Sequence, residues 1–277
     1  MNKPEIYFHV GLPKTASTFL QRQVFPKFGD IQFVKKHQFK KHDKIIQKTN
    51  TEKILLSTEL NLGKPYVDKK VINFAEKHPE AKTILVLRRQ DKWLQSKYKY
   101  HIRKNGGLDF NDFFNLNDTG KVKVNELHFM SKIEFLEHYF SNPPLIIFQE
   151  ELVAAPGKVF NMLANEMNAS VEKNISTKKI KPAYSHKQLK SLLRFNQKHP
   201  YKPLSKKHPK ILRLTQKKLR QLMVHSVAYY AKFFPGQKNE EGNELIPQEK
   251  LREIKNYYAK DWGNVLNYAG KSRDLYI

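Results

Sequence analysis

The chain has 277 residues, enough to bury one large core, and no cysteine, which excludes disulfides and thiolate metal sites. Its formal charge is +25, and the charge is uneven. From Lys173 to Asn239 there is no Asp or Glu but there are 18 Lys and Arg, a composition suited to a polyanionic partner: an acidic polysaccharide, an anionic membrane surface or nucleic acid.

Taken in order, Ile6, Phe8 and Val10 mark a buried strand, and Gly11, Leu12 and Pro13 end it. Phe19, Leu20 and Val24 then resume at helical spacing. A strand, a tight loop and a helix start in that order gather backbone N–H groups toward one point, which makes an anion site. The nucleotide-triphosphatase pattern G-x-x-x-x-G-K-[ST], laid over Gly11 to Thr18, keeps the first Gly and the last Thr. Ala16 replaces the second Gly and Ser17 the lysine; the loop's only lysine is Lys14.

The Lys-rich stretch from Pro26 to Thr51 reads as a short helix and loops, with His37 and His42 as exposed histidines. Ile54 to Leu56 is a second buried strand, followed by Ser57, Thr58 and Glu59. In open α/β sheets the strand C-termini form the ligand crevice, so Glu59 is a candidate general base, competing with a role as a helix-start acid. Tyr66 to Lys77 has helical spacing, Ile84 to Leu87 is a third strand closed by Arg88 and Arg89, and Asp91 begins a helix through Ile102. Such alternation implies parallel crossovers on a central sheet. Phe110 to Phe114 reads as a short helix, His128 to Phe140 and Pro156 to Met167 as amphipathic helices, and Leu145 to Phe148 as a fourth strand.

In the basic part, Gln188 to Gln197 is a short helix and Lys210 to Phe234 a long one. On the long helix Ile211, Leu214, Leu219, Leu222 and Met223 mark an apolar face, with Arg213, Lys217, Lys218 and Arg220 as polar positions. A helix packed on the core with a wet basic back is the simpler reading; a basic amphipathic helix resting on a membrane or gripping an acidic glycan is the sharper one. Gln248 to Tyr268 reads as one final helix. No run approaches the ~18 apolar residues of a membrane span, and no charged-then-apolar leader precedes the first strand. The expectation is a soluble cytoplasmic chain, with the inner face of a membrane as a variant.

Two stretches resemble the sulfotransferase family. The run HVGLPKTASTFLQ looks like its 5′-phosphosulfate loop, usually P-K-T-G-T-T-[WF]-L: Pro13, Lys14, Thr15, Thr18, Phe19 and Leu20 match, while Ala16 stands for Gly and Ser17 for Thr. Arg88 and Ser96 have the eight-residue spacing of the pair that binds the nucleotide 3′-phosphate in that family, with Arg89 as an alternative register. The QEEL run at Gln149 to Leu152 is similar to the Y-E-D-L turn of bacterial members, where Glu150 and Glu151 would be structural acids.

The resemblance implies a three-layer, P-loop-like α/β fold with a mostly parallel central sheet. It implies one sulfotransferase-like domain, with an α/β nucleotide-binding core over residues 1–170 and a basic, mainly helical portion over 171–277. The implied co-substrate is 3′-phosphoadenosine 5′-phosphosulfate (PAPS), the product adenosine 3′,5′-bisphosphate, and no metal is expected. Lys14, Thr15, Ala16, Ser17, Thr18, Phe19, Arg88 and Ser96 would hold the nucleotide. Lys14 would stabilise the departing phosphate, and Glu59 stands where cytosolic members carry a histidine base, with His101 in reserve. Lys178, Lys179 or Lys181 would close over the 3′-phosphate. The implied acceptor is a hydroxyl on a carbohydrate, free, polymeric or lipid-linked, with a small phenol or alcohol as the alternative, peripheral membrane contact through the basic segment and nucleic acid disfavoured. The rivals are a P-loop-type kinase, which would need a lysine at position 17, and a non-enzymatic polyanion-binding protein.

Overall fold

The computed structural model describes residues 3–172, 174–177, 184–233 and 244–270. The expected lid lysines, Lys178, Lys179 and Lys181, lie outside the described residues. The chain divides into two compact units, one of Met1–Gln90, Asn125–Ile180 and Tyr258–Ile277, the other of Asp91–Val124 and Lys181–Tyr257.

The first unit is built on five strands, β1 (Glu5–Gly11), β2 (Gln32–Val34), β3 (Lys53–Ser57), β4 (Lys82–Leu87) and β5 (Leu145–Phe148). They form one sheet in the order β2-β3-β1-β4-β5, and every pairing is parallel. Strands buried on both faces need continuous apolar runs, and these have them: Ile54 to Leu56 and Ile84 to Leu87 are fully buried, as are Phe8 and Val10. At roughly 1.5–3 kcal/mol for each large apolar side chain removed from water, these strands supply the core's main driving force. Helices α3 (Pro65–Ala75), α6 (Met130–Tyr139) and α8 (Pro156–Glu166) follow the periodicity that predicts them.

Several expectations are corrected. The stretch from Pro26 to Thr51 holds not only helix α2 (His42–Lys48) but also strand β2, which pairs with β3 from Gln32↔Ile54 to Val34↔Leu56. QEEL is not a turn but opens helix α7 (Gln149–Ala154), capped by the Glu151 side chain accepting from the Phe148 N–H at 3.3 Å. The final helix is two, α11 (Gln248–Tyr257) and α12 (Ala259–Tyr268), and the second belongs to the first unit. There Asp261 accepts hydrogen bonds from the Phe129 N–H (2.9 Å), the Met130 N–H (3.1 Å) and the Gln90 side chain (2.8 Å).

The second unit is helical: α4 (Gln90–Arg103, all but its first residue), α5 (Phe110–Phe113), α9 (His186–Lys198), α10 (Lys210–Phe233) and α11. Here the expected apolar face of α10 is not the buried one, while Lys217 and Lys218 are exposed as expected. Its buried stripe is Arg220, Val224, Ala228 and Ala231, whereas Ile211 is 78% exposed and Leu222 63%. Small residues at this spacing let α10 approach its neighbour closely, and the larger apolar residues are left outside. Arg220, expected on the wet side, donates to Asn196 Oδ1 at 2.7 Å and Asn105 Oδ1 at 3.1 Å, over the ring of Phe195. Asn196 in turn donates to the carbonyls of Ile102 and Gly106, so the amide that accepts from this buried cation is itself held in place.

Candidate functional site

The parallel arrangement brings the C-terminal ends of all five strands to one edge of the sheet, where a doubly wound fold binds its ligands. β1 is central. Gly11, its last residue, has φ 145°, and a Cβ there would lie 2.8 Å from the Leu60 carbonyl oxygen, so only glycine lets the chain leave the strand at this point.

The loop that follows is pinned from inside. The Leu12 N–H donates to the Val86 carbonyl on β4 (3.1 Å), and the Thr15 and Ser17 hydroxyls both donate to the Leu12 carbonyl. Thr15 and Ser17 are buried, so these two hydroxyls shape the loop. Lys14 (φ 73°) and Ala16 (φ 68°) are both left-handed, on either side of Thr15. Such alternation folds successive N–H groups into a concavity suited to an anion. Ala16 stands where the family pattern has glycine, and its positive φ gives the physical reason for that glycine. Helix α1 (Ser17–Phe19) starts here and runs into a π-turn, Leu20–Val24.

Glu59 lies just beyond the end of β3, beside this loop. The neighbouring backbone is fixed by the Thr58 and Leu60 N–H groups donating to the His9 and Val10 carbonyls at 2.9 and 2.8 Å. The Thr18 hydroxyl donates to Glu59 Oε1 at 3.5 Å, and Lys36 Nζ sits 2.6 Å from Oε2. Lys36 is a site residue the sequence reading missed; it comes from the 3₁₀ turn Lys36–Lys41 after β2, the strand that reading also missed.

Arg88 and Arg89 follow β4 directly, with half-buried side chains. Glu150, on α7, accepts from the Arg89 N–H at 3.3 Å, and burial pushes its carboxyl above the usual carboxylate range despite the two neighbouring arginines. The structure therefore brings Lys14 to Phe19, Glu59 and Arg88 to one edge of the first unit, while Ser96 lies on α4 in the second.

Beneath the loop, His9 is fully buried with Nδ1 2.7 Å from Ser57 Oγ, and Gln21 donates to that same Oγ and to the Thr58 carbonyl, both at 3.0 Å. Burial pushes the His9 pKa down to about 3, so the ring is a neutral support. His101, the reserve base, has the same character: burial lowers its pKa to about 4, and its ring packs against Tyr98, Phe113 and Gly106.

The second unit carries a cavity of about 500 Å³ whose walls include Tyr100, Tyr184, Tyr201, Arg103, Lys104 and Lys217. Arg103 lies over the Tyr184 ring at 5.0 Å and Lys104 over Tyr100 at 5.7 Å. No acid lines it.

No family model matches the sequence, and no curated protein matches it either. Solved structures do match in fold. A sulfotransferase from Alicyclobacillus acidocaldarius superposes with a TM-score of 0.50 at 14% identity, over 71% of this chain and 93% of that one. The mouse sulfotransferase SULT7A1, complexed with PAP, aligns over 93% of this chain and 90% of its own at 18% identity, with a TM-score of 0.42. By the first of these comparisons, and by its five-stranded parallel sheet, the chain has the fold of a sulfotransferase.

Proposed function

We propose that the protein transfers the sulfuryl group of PAPS to an acceptor hydroxyl. The observation that carries this reading is the Pro13–Phe19 loop, with its two left-handed residues, lying against Glu59 at the sheet edge of a sulfotransferase fold. The acceptor oxygen attacks sulfur in line, the bond from sulfur to the phosphate oxygen breaks, and negative charge develops on that oxygen. Lys14 and the loop N–H groups stabilise that charge, the kind of preorganised stabilisation that dominates such steps. Arg88, at the end of β4, offers a planar fork to the 3′-phosphate. Glu59 takes the acceptor proton on a lone pair that its contacts with Lys36 and Thr18 leave open. Ser17 argues against a kinase: the P-loop lysine would stand at its position, and its hydroxyl is turned inward to Leu12.

The acceptor, in this reading, is an acidic carbohydrate. What supports it is the acid-free cavity, where tyrosine rings suit sugar faces and Arg103, Lys104 and Lys217 suit their anionic groups. The outer face of α10 rests on an anionic bilayer: Leu219 and Leu222 are more than half exposed beside Lys217 and Lys218. None of the described helices is long and apolar enough to cross a membrane, so contact would be at the surface.

Calorimetric titration with adenosine 3′,5′-bisphosphate and with ATP tests the donor site. Wild type is expected to bind the bisphosphate at micromolar concentration and ATP weakly. Lys14→Ala is expected to weaken the bisphosphate complex and to lower sulfuryl transfer by about 10²–10³-fold. No bisphosphate binding at low salt would overturn the reading and leave the basic unit as the place to look for function.

A further inference from the structure

Apart from the nucleotide loop, the first unit holds a second cluster of reactive side chains. His42 and Asp43 open α2, and His78 lies in the turn after α3, held there by its N–H donating to the Phe74 carbonyl at 3.0 Å. One ligand atom from each of the three residues lies within 4.8 Å of the others. His42 Nε2 is 3.1 Å and His78 Nε2 3.5 Å from the same oxygen, Asp43 Oδ1. We propose that His42, Asp43 and His78 bind a divalent transition ion of the zinc class, clamping the start of α2 to the end of α3.

Four observations carry the assignment. The two separations from Asp43 Oδ1, 3.1 and 3.5 Å, fit: ligands about 2.0–2.1 Å from a tetrahedral zinc stand roughly 3.3 Å from one another. The three atoms are also unsatisfied. His42 Nε2, Asp43 Oδ1 and both ring nitrogens of His78 are closed to solvent and make no well-aligned hydrogen bond among the described residues, although His42 Nε2, His78 Nε2 and Asp43 Oδ1 face one another. A simple histidine–carboxylate pair would satisfy Asp43 and one ring and leave the other ring stranded, whereas a shared ion satisfies all three.

Third, the supporting contacts are those a metal site uses. His42 Nδ1–H donates to the Phe39 carbonyl at 2.8 Å, which leaves Nε2 as the ligand atom. Lys77 Nζ takes the outer oxygen, Asp43 Oδ2, at 2.6 Å and leaves Oδ1 for the ion. Fourth, the walls are apolar, with Phe39 and Phe74 rings 4.9 and 5.1 Å from the His42 ring and Phe74 5.0 Å from that of His78. Two imidazoles and one carboxylate, with no thiolate and no carbonyl cage, select zinc, cobalt or nickel over calcium or magnesium. A water completes the coordination.

The test uses the whole protein, stripped with a chelator and titrated with Co²⁺ and then Zn²⁺. One equivalent of Co²⁺ should give the intense visible bands of a tetrahedral ion, zinc should displace them, and the melting temperature should rise with zinc concentration. Asp43→Asn and His78→Gln, checked for folding by circular dichroism, should each weaken binding at least tenfold. His186→Gln, at an exposed histidine on α9, should bind as wild type does. Absence of a tetrahedral cobalt spectrum in the wild type would overturn the assignment. So would variants that bind as tightly as wild type. Neither readout involves sulfuryl transfer, so this inference and the proposed activity stand or fall separately.

Discussion

The two units solve the placement of charge and oil in opposite ways. In the first, the apolar runs are inside and the cations of the candidate site stand at the sheet edge. In the second, α10 buries an arginine and leaves Ile211, Leu219 and Leu222 outside. The difference follows from what each unit has to pack. Strands of a parallel sheet must be apolar on both faces because helices cover both. A single helix needs only one narrow stripe, and where that stripe is Val224, Ala228 and Ala231 the larger residues are free for another surface. Periodicity finds an apolar face on α10 but cannot say whether the protein or a partner covers it.

Arg220→Met tests this contrast most severely. It removes the donor to Asn196 and Asn105 while keeping the stem's bulk, and should cost about 3 kcal/mol in urea unfolding. A loss under about 1 kcal/mol would mean that the buried guanidinium is a passenger. In the first unit, Gly11→Ala forces a Cβ onto Leu60 at a positive φ and should cost about 1–3 kcal/mol, with bisphosphate affinity falling alongside.

His9 gives a pH signature. Its folded pKa of about 3 lies below the ordinary 6.5, so between those values the unfolded chain binds the extra proton and stability falls as pH falls. His9→Gln should flatten that acid limb in melting curves taken from pH 7 to pH 4; an unchanged slope would move the effect elsewhere. The smallest effect concerns α10. Leu219→Ser with Leu222→Ser should reduce sedimentation with phosphatidylserine vesicles several-fold while leaving neutral vesicles unaffected. Equal binding by wild type and variant would remove the bilayer from the proposal, and a change of oligomeric state in the variant would point to a second copy instead.

The sheet is largely legible in the sequence because strands buried on both faces must be apolar at every position. ILL at Ile54 to Leu56 and ILVL at Ile84 to Leu87 are too short and too uniform to be amphipathic helices. β2 is not legible, since only Phe33 and Val34 carry its apolar signal inside a lysine-rich stretch; it is a short edge strand defined by its pairing to β3. The loop can be read as an anion site, but Lys36 comes to Glu59 through that unseen strand. His42 reads as exposed for the same reason: nothing local shows that Phe39 and Phe74 close around it. The break at Tyr258 is hidden because α11 and α12 are both amphipathic and join without Pro or Gly.

Asp261 also bears on synthesis. The sheet draws its strands from residues 5 to 148, so most of its hydrogen bonds can form while the later chain is still being made. The Phe129 and Met130 N–H groups and the Gln90 amide nevertheless wait for a carboxylate that is translated more than a hundred residues after them. Trp262, whose ring meets that of Phe148 at 5.2 Å, arrives with it. The whole helical unit, Asp91–Val124 and Lys181–Tyr257, must leave the ribosome before the α/β unit receives its last anchor. For that interval the nascent sheet lacks the Asp261 carboxylate and the Trp262 ring that complete its contacts, and such incompletely packed intermediates are the aggregation-prone ones.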